Sequence, residues 1–224
     1  MKSFFIRLAG CNLRCWFCDT PYASWRVEGA LHTLETIVER AVASGCTHAV
    51  LTGGEPLLPA RVGELTSALR REGLHLTIET AGTIDREIEC DLLSLSPKLA
   101  GSTPRADKLA VQPSQANNPE ASERRWRGQH ERRRWRPEVV ARLIERSDDY
   151  QAKFVVDSPA DCQATLAAIQ ALRLPADHVW IMPQALRPEE LEPQAAWLRP
   201  WCQRHRFHYC DRMQLRWYGA KRAT

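Results

Sequence analysis

Short apolar stretches alternate along the chain with longer amphipathic ones. The short stretches are rich in aliphatic, β-branched and aromatic side chains, which is typical of buried strands. The longer stretches carry apolar side chains three and four positions apart, which is the spacing of one helical face. The pattern predicts strands in SFFIRLA, HAVLTGG, LHLTIETAGT, CDLLSLSPK, YQAKFVVD, HVWIMP and FHYCDRMQLRWYG, and helices at 34–44, 59–73, 137–146, 159–172 and 188–205.

This repeated order of strand and helix predicts an α/β protein with a parallel sheet and helices packed outside it. A closed barrel of eight units typically needs about 250 residues, and the chain has 224. We therefore expect an incomplete TIM-type β/α barrel of about six strands. Chemistry in such folds gathers at the carboxyl ends of the strands. Three candidate segments follow predicted strands in this way, at 10–20, 52–56 and 96–98.

The composition limits the class and location of the protein. With 224 residues, 44% of them hydrophobic, the chain can bury one sizeable core. Its formal net charge is a modest +4. We expect one domain over 1–224 with a basic insertion at 119–137. No apolar run approaches the roughly 18 residues that a membrane span requires, and no charged-then-apolar leader precedes residue 10. These features predict a cytoplasmic protein.

Three of the eight cysteines lie within eight positions, at Cys11, Cys15 and Cys18. A disulfide framework is normally short and regularly spaced, and this chain is neither. We therefore expect the scattered cysteines to be reduced thiols. They are Cys46, Cys90, Cys162, Cys202 and Cys210.

Three clustered thiolates favour zinc, copper(I) or an iron–sulfur cluster. A structural zinc site would take a fourth ligand, for which His32 and Cys46 are the nearest candidates, but neither belongs to a paired CxxC knuckle. A four-iron cluster on three cysteines leaves one iron without a protein ligand, whereas electron-carrier clusters use four thiolates. The pattern therefore favours a cluster whose open iron binds a small molecule.

The spacing Cys11-x-x-x-Cys15-x-x-Cys18, with Phe17 before the last cysteine, resembles the signature of the radical S-adenosylmethionine (SAM) enzymes. The resemblance implies a four-iron–four-sulfur (4Fe–4S) cluster on these cysteines and SAM as the cofactor that chelates the open iron. It also implies that one electron from the cluster splits the sulfonium of SAM and yields a 5′-deoxyadenosyl radical.

The segment TGGEP at 52–56 resembles the glycine-rich cofactor motif of the same enzymes. Gly53 and Gly54 would let the backbone approach the cofactor closely, and Glu55 would offer acceptors to its amino group. A Gly-Gly turn after a strand is by itself more often structural than functional. Its place beside the cysteines, on the neighbouring predicted strand, makes the motif specific.

Seven further segments narrow the resemblance: FIRLAGCNLRC, CDTPYASW, IETAGT, LSPK, HERRRWRPEVVARLIE, AKFVVDSPAD and RMQLRWYGAKR. Their order and spacing resemble the 7-carboxy-7-deazaguanine synthase family of the radical SAM superfamily over nearly the whole chain. The resemblance implies a radical SAM lyase that converts 6-carboxy-5,6,7,8-tetrahydropterin to 7-carboxy-7-deazaguanine with loss of ammonia. This product is a precursor of queuosine and related 7-deazapurines.

The same resemblance implies roles for residues at matching positions. Thr20 would bind a Mg²⁺ ion that also contacts substrate oxygens, and Arg7 would pair with the substrate carboxylate. Glu79 would accept hydrogen bonds from the ribose hydroxyls of SAM, and Ser96 and Lys98 would reach its polar end. For Thr20, Arg7 and Lys98 the alternatives are a turn residue, a buried structural arginine and a solvated loop lysine.

Two features depart from the family pattern. Family members usually carry a Gln-Gly-Glu-Gly turn before the first strand, where it contacts substrate, whereas here Met1 lies two residues before SFFIRLA. Either the start is placed too late or substrate recognition differs. Gln214 stands where family members often have histidine near the bound pterin, and glutamine still donates and accepts hydrogen bonds.

The segment 124–136, RRWRGQHERRRWR, holds seven arginines and two tryptophans. One hypothesis is a nucleic-acid patch in which Trp126 and Trp135 stack on bases. The other is a solvated, partly helical insertion anchored by its tryptophans, which the recurrence of HERRR in the resembled family favours.

Two rival functions remain open. One is an activase that makes a glycyl radical on a partner protein, and the other is an iron–sulfur RNA-binding module that works through the arginine-rich segment. The resemblance itself implies a flavodoxin- or ferredoxin-type electron donor and a homodimer.

Overall fold

The computed structural model describes residues 2–105 and 119–219. Its centre is a seven-stranded sheet in which every strand pairs in parallel with the next one along the chain. The first and last strands form the two edges, so the sheet is open. The strands are β1 Ser3–Leu8, β2 His48–Gly53, β3 His75–Thr80, β4 Leu92–Leu95, β5 Tyr150–Val156, β6 Val179–Pro183 and β7 His208–Tyr209.

Helices lie between most of the strands, at positions close to those that the periodicity predicts. Across residues 2–105 and 119–219, no helix is both long and apolar enough to cross a bilayer. The helices are α1 Pro21–Ser24, α2 Leu34–Ala43, α3 Val62–Arg71, α4 Pro119–Arg134, α5 Pro137–Glu145, α6 Pro159–Leu172, α7 Leu191–His205 and α8 Met213–Tyr218, and short 3-10 turns span Ala100–Ser102, Ala176–His178 and Pro188–Glu190.

One face of the sheet is apolar and covered by helices. Ile6, Leu51, Ile78 and Leu93 lie in register across the first four strands, and all four are buried. They belong to an apolar cluster that also takes in side chains from α3 and α5. A second cluster, around Phe154 of β5, joins β6 to α6 and α7. This burial explains why an apolar side chain occupies every second position of these strands.

The opposite face is polar near the carboxyl ends of the strands. Successive side chains of a strand point to opposite faces, so the position after each buried residue belongs to this second face. Arg7 pairs with Thr52, Glu79 with Ser94, and Ser94 with Gln151. These five residues form a row that crosses the first five strands. The row lies on the face opposite the apolar clusters, and Thr52 and Ser94 within it are buried.

Two details differ from the sequence prediction. The sheet has seven strands, as many as the predicted strand segments and one more than the expected total of about six, because the two-residue β7 pairs with β6. The predicted strand over 207–219 is wrong beyond Tyr209, because α8 follows. Of its apolar side chains Leu215 is buried whereas Trp217 is 66% exposed. The apolar residues of this segment therefore do not form the buried face of a strand.

Candidate functional site

The three-cysteine loop, residues 10–20, follows β1 directly and is held at its base by backbone hydrogen bonds. The Gly10 N–H donates to the carbonyl oxygen of Ala23 at 2.8 Å, and the Gly10 carbonyl accepts from the Glu55 N–H at 2.8 Å. The Gly54 N–H donates to the carbonyl oxygen of Leu8 at 3.0 Å. These bonds fix the loop to the end of β1 and to the TGGEP turn after β2.

The two glycines of the TGGEP turn permit this contact. A Cβ atom on Gly53 would lie 2.1 Å from the carbonyl oxygen of Leu8, and one on Gly54 would lie 2.1 Å from that of Gly10. Gly53 also has a φ of 143°, which residues with a side chain rarely adopt. Both positions therefore require glycine for a reason within the chain. Their contact with SAM stays a prediction.

The carboxylate of Glu55 is buried and already accepts three hydrogen bonds. The donors are the Leu57 N–H at 3.0 Å, the Thr80 hydroxyl at 2.6 Å and the Ala81 N–H at 2.9 Å. Burial raises the pKa of this carboxyl, and the three hydrogen bonds oppose the rise. Glu55 thus joins the turns after β2 and β3. Its contact with the amino group of SAM stays a prediction.

The three thiols of the loop lie in a largely buried environment. Cys15 is buried, and Cys11 and Cys18 are partly exposed. Each lies within electrostatic range of another thiol of the loop. Burial raises the pKa of all three thiols, to about 11 for Cys11. Iron would displace these protons, because cysteine binds metals as the thiolate.

This donor set fits a multi-iron cluster better than a single ion. In the described part of the chain, no three His, Cys, Asp or Glu side chains converge as the ligands of one metal ion would. The ligands of one zinc ion all lie about 2.3 Å from it when they are sulfurs, whereas cysteines on a cluster bind different irons and stand farther apart. His32, a candidate for the fourth zinc ligand, instead contacts Arg40, with 3.3 Å between its Nε2 and the Arg40 Nη1.

Two hydroxyl groups surround Cys18. Its sulfur lies 3.1 Å from the Ser24 hydroxyl oxygen and 3.8 Å from that of Thr20. Thr20 occupies the N-cap position of α1, but in the described structure its side chain forms no capping hydrogen bond. The Thr20 hydroxyl therefore lies next to a predicted cluster ligand. Mg²⁺ binding by Thr20 stays a prediction.

The basic helix α4 contacts the cysteine loop through His130, which is 0% exposed. Its Nδ1 accepts a hydrogen bond from the Arg14 N–H at 3.1 Å, so the proton sits on Nε2, 2.9 Å from the Ser102 hydroxyl oxygen. That hydroxyl donates in turn to the carbonyl oxygen of Leu99 at 2.6 Å. Burial lowers the pKa of His130 to about 4. His130 is therefore a neutral link between the loop and the turn after β4.

Two further contacts hold the cysteine loop against these elements. The indole N–H of Trp16 donates to the carbonyl oxygen of Gly101 at 2.7 Å. On the α4 side, Nη1 of Arg133 lies 3.3 Å from the carbonyl oxygen of Asn12. The loop between the first and third cysteines is thus fixed from two directions.

Ser96 and Lys98 lie together after β4, and their contact with SAM stays a prediction. The Lys98 ammonium donates to the Ser96 carbonyl oxygen at 2.7 Å and to its hydroxyl oxygen at 2.6 Å. Burial raises the pKa values of Cys15 and Glu55, and the positive charge of Lys98 opposes both rises. Lys98 is therefore not a solvated loop lysine, because it is partly buried beside the cysteine loop.

Glu79 lies in the polar row, between two donors. Its Oε2 accepts from the Thr52 hydroxyl at 3.0 Å, and its Oε1 accepts from the Lys153 ammonium at 2.9 Å. Burial raises the pKa of this carboxyl, but Lys153, Thr52 and Arg7 outweigh that effect and the net shift is downward. Arg7 is exposed on the same face, so it is not a buried structural arginine.

The last helix meets the cysteine loop through an ion pair. Nη2 of Arg212 lies 2.6 Å from Oδ2 of Asp19, and the Arg212 side chain is 4% exposed. Asp19 lies between the third cysteine and Thr20. Gln214 follows two residues after Arg212 and is exposed. Gln214 thus lies two residues from a contact with the cysteine loop, and its own contact with substrate stays a prediction.

Sequence reasoning missed three residues of this region: His130, Lys153 and Arg212. Lys153 had a detectable signal, because it is a charged residue between buried positions of an apolar strand. His130 lies in a segment that was noted for its arginines. Arg212 had no signal, because its partner lies 193 positions away.

Comparison with known proteins decides the family. Residues 5–99 match the model of the radical SAM superfamily, and this range includes the cysteine loop and the TGGEP turn. The 7-carboxy-7-deazaguanine synthase of Rhodopirellula baltica is 44% identical over 223 residues, which cover 100% of this chain and 81% of the relative. The chain belongs to the 7-carboxy-7-deazaguanine synthase family. Membership in this family confirms a radical SAM enzyme of the lyase type, with a 4Fe–4S cluster and SAM as its cofactors.

Other members of the family and a solved structure agree. The 7-carboxy-7-deazaguanine synthase of Halobacterium salinarum is 36% identical, with 95% of this chain and 81% of the relative covered. That of Pyrobaculum aerophilum is 34% identical, with coverage of 83% and 72%. The crystal structure of QueE from Escherichia coli has the same fold, with a TM-score of 0.60, 19% identity and coverage of 94% and 85%. The predicted incomplete barrel is thereby confirmed.

Proposed function

We propose that this chain converts 6-carboxy-5,6,7,8-tetrahydropterin to 7-carboxy-7-deazaguanine with loss of ammonia, in queuosine or related 7-deazapurine biosynthesis. The observation that carries the proposal is the position of the three-cysteine loop at the carboxyl end of β1, at the polar face of the sheet. The name shared by the relatives supplies the product. The polar row supplies groups suited to a charged, polar substrate.

The residues of this chain bind and orient the reactants, while the chemistry of bond breaking belongs to the cofactors. Cys11, Cys15 and Cys18 would hold the cluster. With SAM bound, the cluster would supply the radical chemistry needed to abstract a hydrogen from the substrate. Glu79, kept ionised by Lys153, accepts hydrogen bonds from the ribose of SAM.

Substrate recognition uses groups around the same loop. The exposed Arg7 guanidinium pairs with the substrate carboxylate, for which its planar pair of N–H donors is suited. Thr20 offers its hydroxyl to a Mg²⁺ ion, which prefers oxygen ligands. Gln214 hydrogen-bonds the pterin from the last helix. The enzyme works as a homodimer, which the family resemblance supports, and in the cytoplasm, as the sequence predicts.

The RNA-binding hypothesis has less support. The Trp126 ring is covered by the Arg14 guanidinium, whose Cζ atom lies 3.9 Å from the ring centroid. Trp135 packs against the second apolar cluster. Both rings therefore contact the protein itself. For the activase hypothesis, the described structure offers no specific support.

The decisive experiment is anaerobic reconstitution with iron and sulfide, followed by dithionite, SAM, Mg²⁺ and carboxytetrahydropterin. We expect 7-carboxy-7-deazaguanine, detected by absorbance and mass.

Variants test the two parts of the proposal separately. Cys15→Ala is expected to abolish cleavage of SAM. Cys46→Ala, outside the loop, is the matched control and should still cleave SAM. Arg7→Ala is expected to raise the KM for the pterin while SAM cleavage persists. Cleavage of SAM by wild-type protein without pterin turnover would refute the substrate but not the radical chemistry.

A further inference from the structure

A stack of two indoles and one guanidinium covers the cysteine loop. The Arg14 Cζ atom lies 3.9 Å from the ring centroid of Trp126 and 5.8 Å from that of Trp25. All three side chains are partly exposed. Trp25 comes from the end of α1, Arg14 from the loop and Trp126 from α4. Three separate segments of the chain thus meet at one small surface.

This surface contacts the backbone of two predicted cluster ligands. The Trp25 indole N–H donates to the carbonyl oxygen of Cys15 at 3.2 Å. Nη1 of Arg14 donates to the carbonyl oxygen of Cys11 at 2.8 Å. Two partly exposed side chains of this surface therefore each contact the backbone of a predicted cluster ligand directly.

Three exposed arginines lie on the same segments as the stack or contact the cysteine loop. Arg26 follows Trp25 directly, Arg127 follows Trp126, and Arg133 binds the loop carbonyl of Asn12. Among the side chains that the structure describes, at 2–105 and 124–219, no ion pair involves these three arginines. Their positive charges are thus not neutralised by carboxylates of the described chain, and they favour a negatively charged partner.

We infer that this surface, formed by Arg14, Trp25, Trp126, Arg26, Arg127 and Arg133, docks an acidic one-electron carrier protein that reduces the cluster. The inference rests on the proposed function, because radical SAM chemistry needs one electron from outside the chain. In the step itself, the reduced carrier loses one electron and the cluster on Cys11, Cys15 and Cys18 gains it. No atom is transferred.

The chemistry of the surface fits a transient protein partner. Tryptophan and arginine are enriched at protein interfaces and dominate their binding energy. Electron-transfer complexes have small interfaces, and their encounter is guided by complementary charge. Single-stranded RNA would instead need aromatic faces on which its bases stack. Here Arg14 already occupies the face of Trp126, which favours the protein.

The test compares two reductants with one readout, the rate of 5′-deoxyadenosine formation. The probe is an acidic flavodoxin reduced by its NADPH-dependent reductase, and dithionite serves as the small reductant. For the double variant Arg26→Glu/Arg127→Glu we expect a KM for flavodoxin about tenfold higher, because like charges then face the partner. The rate with dithionite should stay within a factor of about two, since that reductant needs no docking.

The matched control is Arg71→Glu/Arg204→Glu, which changes the net charge equally at two exposed arginines outside this surface. We expect its KM for flavodoxin to change less than about twofold. The wild-type KM should rise when salt is increased from about 0.05 M to about 0.3 M, because salt screens the attraction. The salt effect should be much smaller in Arg26→Glu/Arg127→Glu.

Several results would overturn the inference. An unchanged KM for flavodoxin in the double variant would do so, as would an equal rise in the control pair. Wild-type protein that dithionite reduces but flavodoxin does not would also refute it. Loss of single-stranded RNA binding in the double variant, with the flavodoxin KM unchanged, would assign the surface to nucleic acid. SAM cleavage with both reductants but no pterin turnover would refute only the proposed substrate.

Discussion

Gly54 shows how a single absent side chain can control the cysteine loop. A Cβ atom here would lie 2.1 Å from the carbonyl oxygen of Gly10 and 2.5 Å from that of Ala23. Both oxygens belong to backbone that holds the base of the loop. We expect Gly54→Ala to lower the free energy of unfolding by about 3 kcal/mol and to reduce the iron bound after reconstitution. Urea denaturation and iron analysis measure the two effects.

Gly45→Ala provides the matched control, because a Cβ atom on Gly45 would meet nothing within 4 Å and only the φ of 66° disfavours a side chain there. We expect a cost of about 1 kcal/mol and full iron content. Equal effects of the two substitutions would contradict the contact that we assign to Gly54.

Lys153 affects the cofactor through Glu79. Burial raises the pKa of Glu79, and Lys153 is the main group that lowers it. Replacing Lys153 by methionine should therefore raise this pKa, so that a larger fraction of the carboxyl is protonated. We expect Lys153→Met to weaken SAM binding about tenfold, which corresponds to about 1.4 kcal/mol. Lys153→Arg keeps the charge and should bind nearly as well as wild type. Calorimetric titration of reconstituted protein with SAM distinguishes the two variants.

At the scale of single residues, the sequence indicated which side chains can bind a ligand, but not which neighbouring groups in the fold they contact. Three thiols and two glycines have properties that their residue types determine, so the cysteine and TGGEP motifs were found directly. Glu55 has acceptors for any donor, and only the folded chain shows that Thr80 and two backbone N–H groups use them. The role of a polar side chain depends on its neighbours.

Among the elements, α4 has the clearest structural role, because His130 connects it to the cysteine loop. We expect His130→Ala to lose iron several times faster under a chelator than wild type, because the Arg14 N–H loses its acceptor. His130→Gln should restore much of this retention, since its amide can both accept and donate. Arg132→Ala, an exposed change on the same helix, is the control. Equal iron loss in all three variants would refute the link.

The same histidine predicts a dependence of stability on pH. Its folded pKa is about 4 and its ordinary pKa is about 6.5. The unfolded chain therefore binds the proton first, and stability is lost as pH falls from about 6.5 towards about 4. Between about pH 7 and pH 5 this group should cost about 2 kcal/mol. Urea denaturation of wild type and His130→Gln should show that difference.

Element boundaries could be predicted where local signals were strong. Helix α6 occupies the predicted range 159–172, with proline at its start. The C-terminal segment failed because its aromatic letters resemble a strand, whereas α8 leaves Trp217 and Tyr218 exposed. Local composition does not reveal which side chains a distant element will cover.

For the whole molecule, the period of the apolar pattern was enough to predict a parallel α/β sheet with helices packed outside it. The apolar pattern did not predict contacts between segments that are remote in sequence, and the ion pair of Arg212 with Asp19 is the clearest example. Arg212→Met should therefore loosen α8 from the cysteine loop. We expect a loss of about 1–3 kcal/mol, below the cost of breaking a fully buried pair, because Asp19 is 52% exposed.

Limited proteolysis tests this expectation, since cleavage near the C-terminus should become faster in Arg212→Met. Arg204→Met, in α7, is the control and should be cleaved like wild type. Unchanged cleavage in both variants would contradict the predicted loosening.

The order of the sheet has a consequence for biosynthesis on the ribosome. Each strand pairs with the one synthesised just before it, so the sheet can extend while the polypeptide emerges. The three loop cysteines appear among the first twenty residues, yet His130 and Arg212 are translated more than a hundred residues later. The metal-loading machinery would therefore meet a fully shaped loop only after translation is nearly complete, and prematurely terminated chains would be poor acceptors of iron.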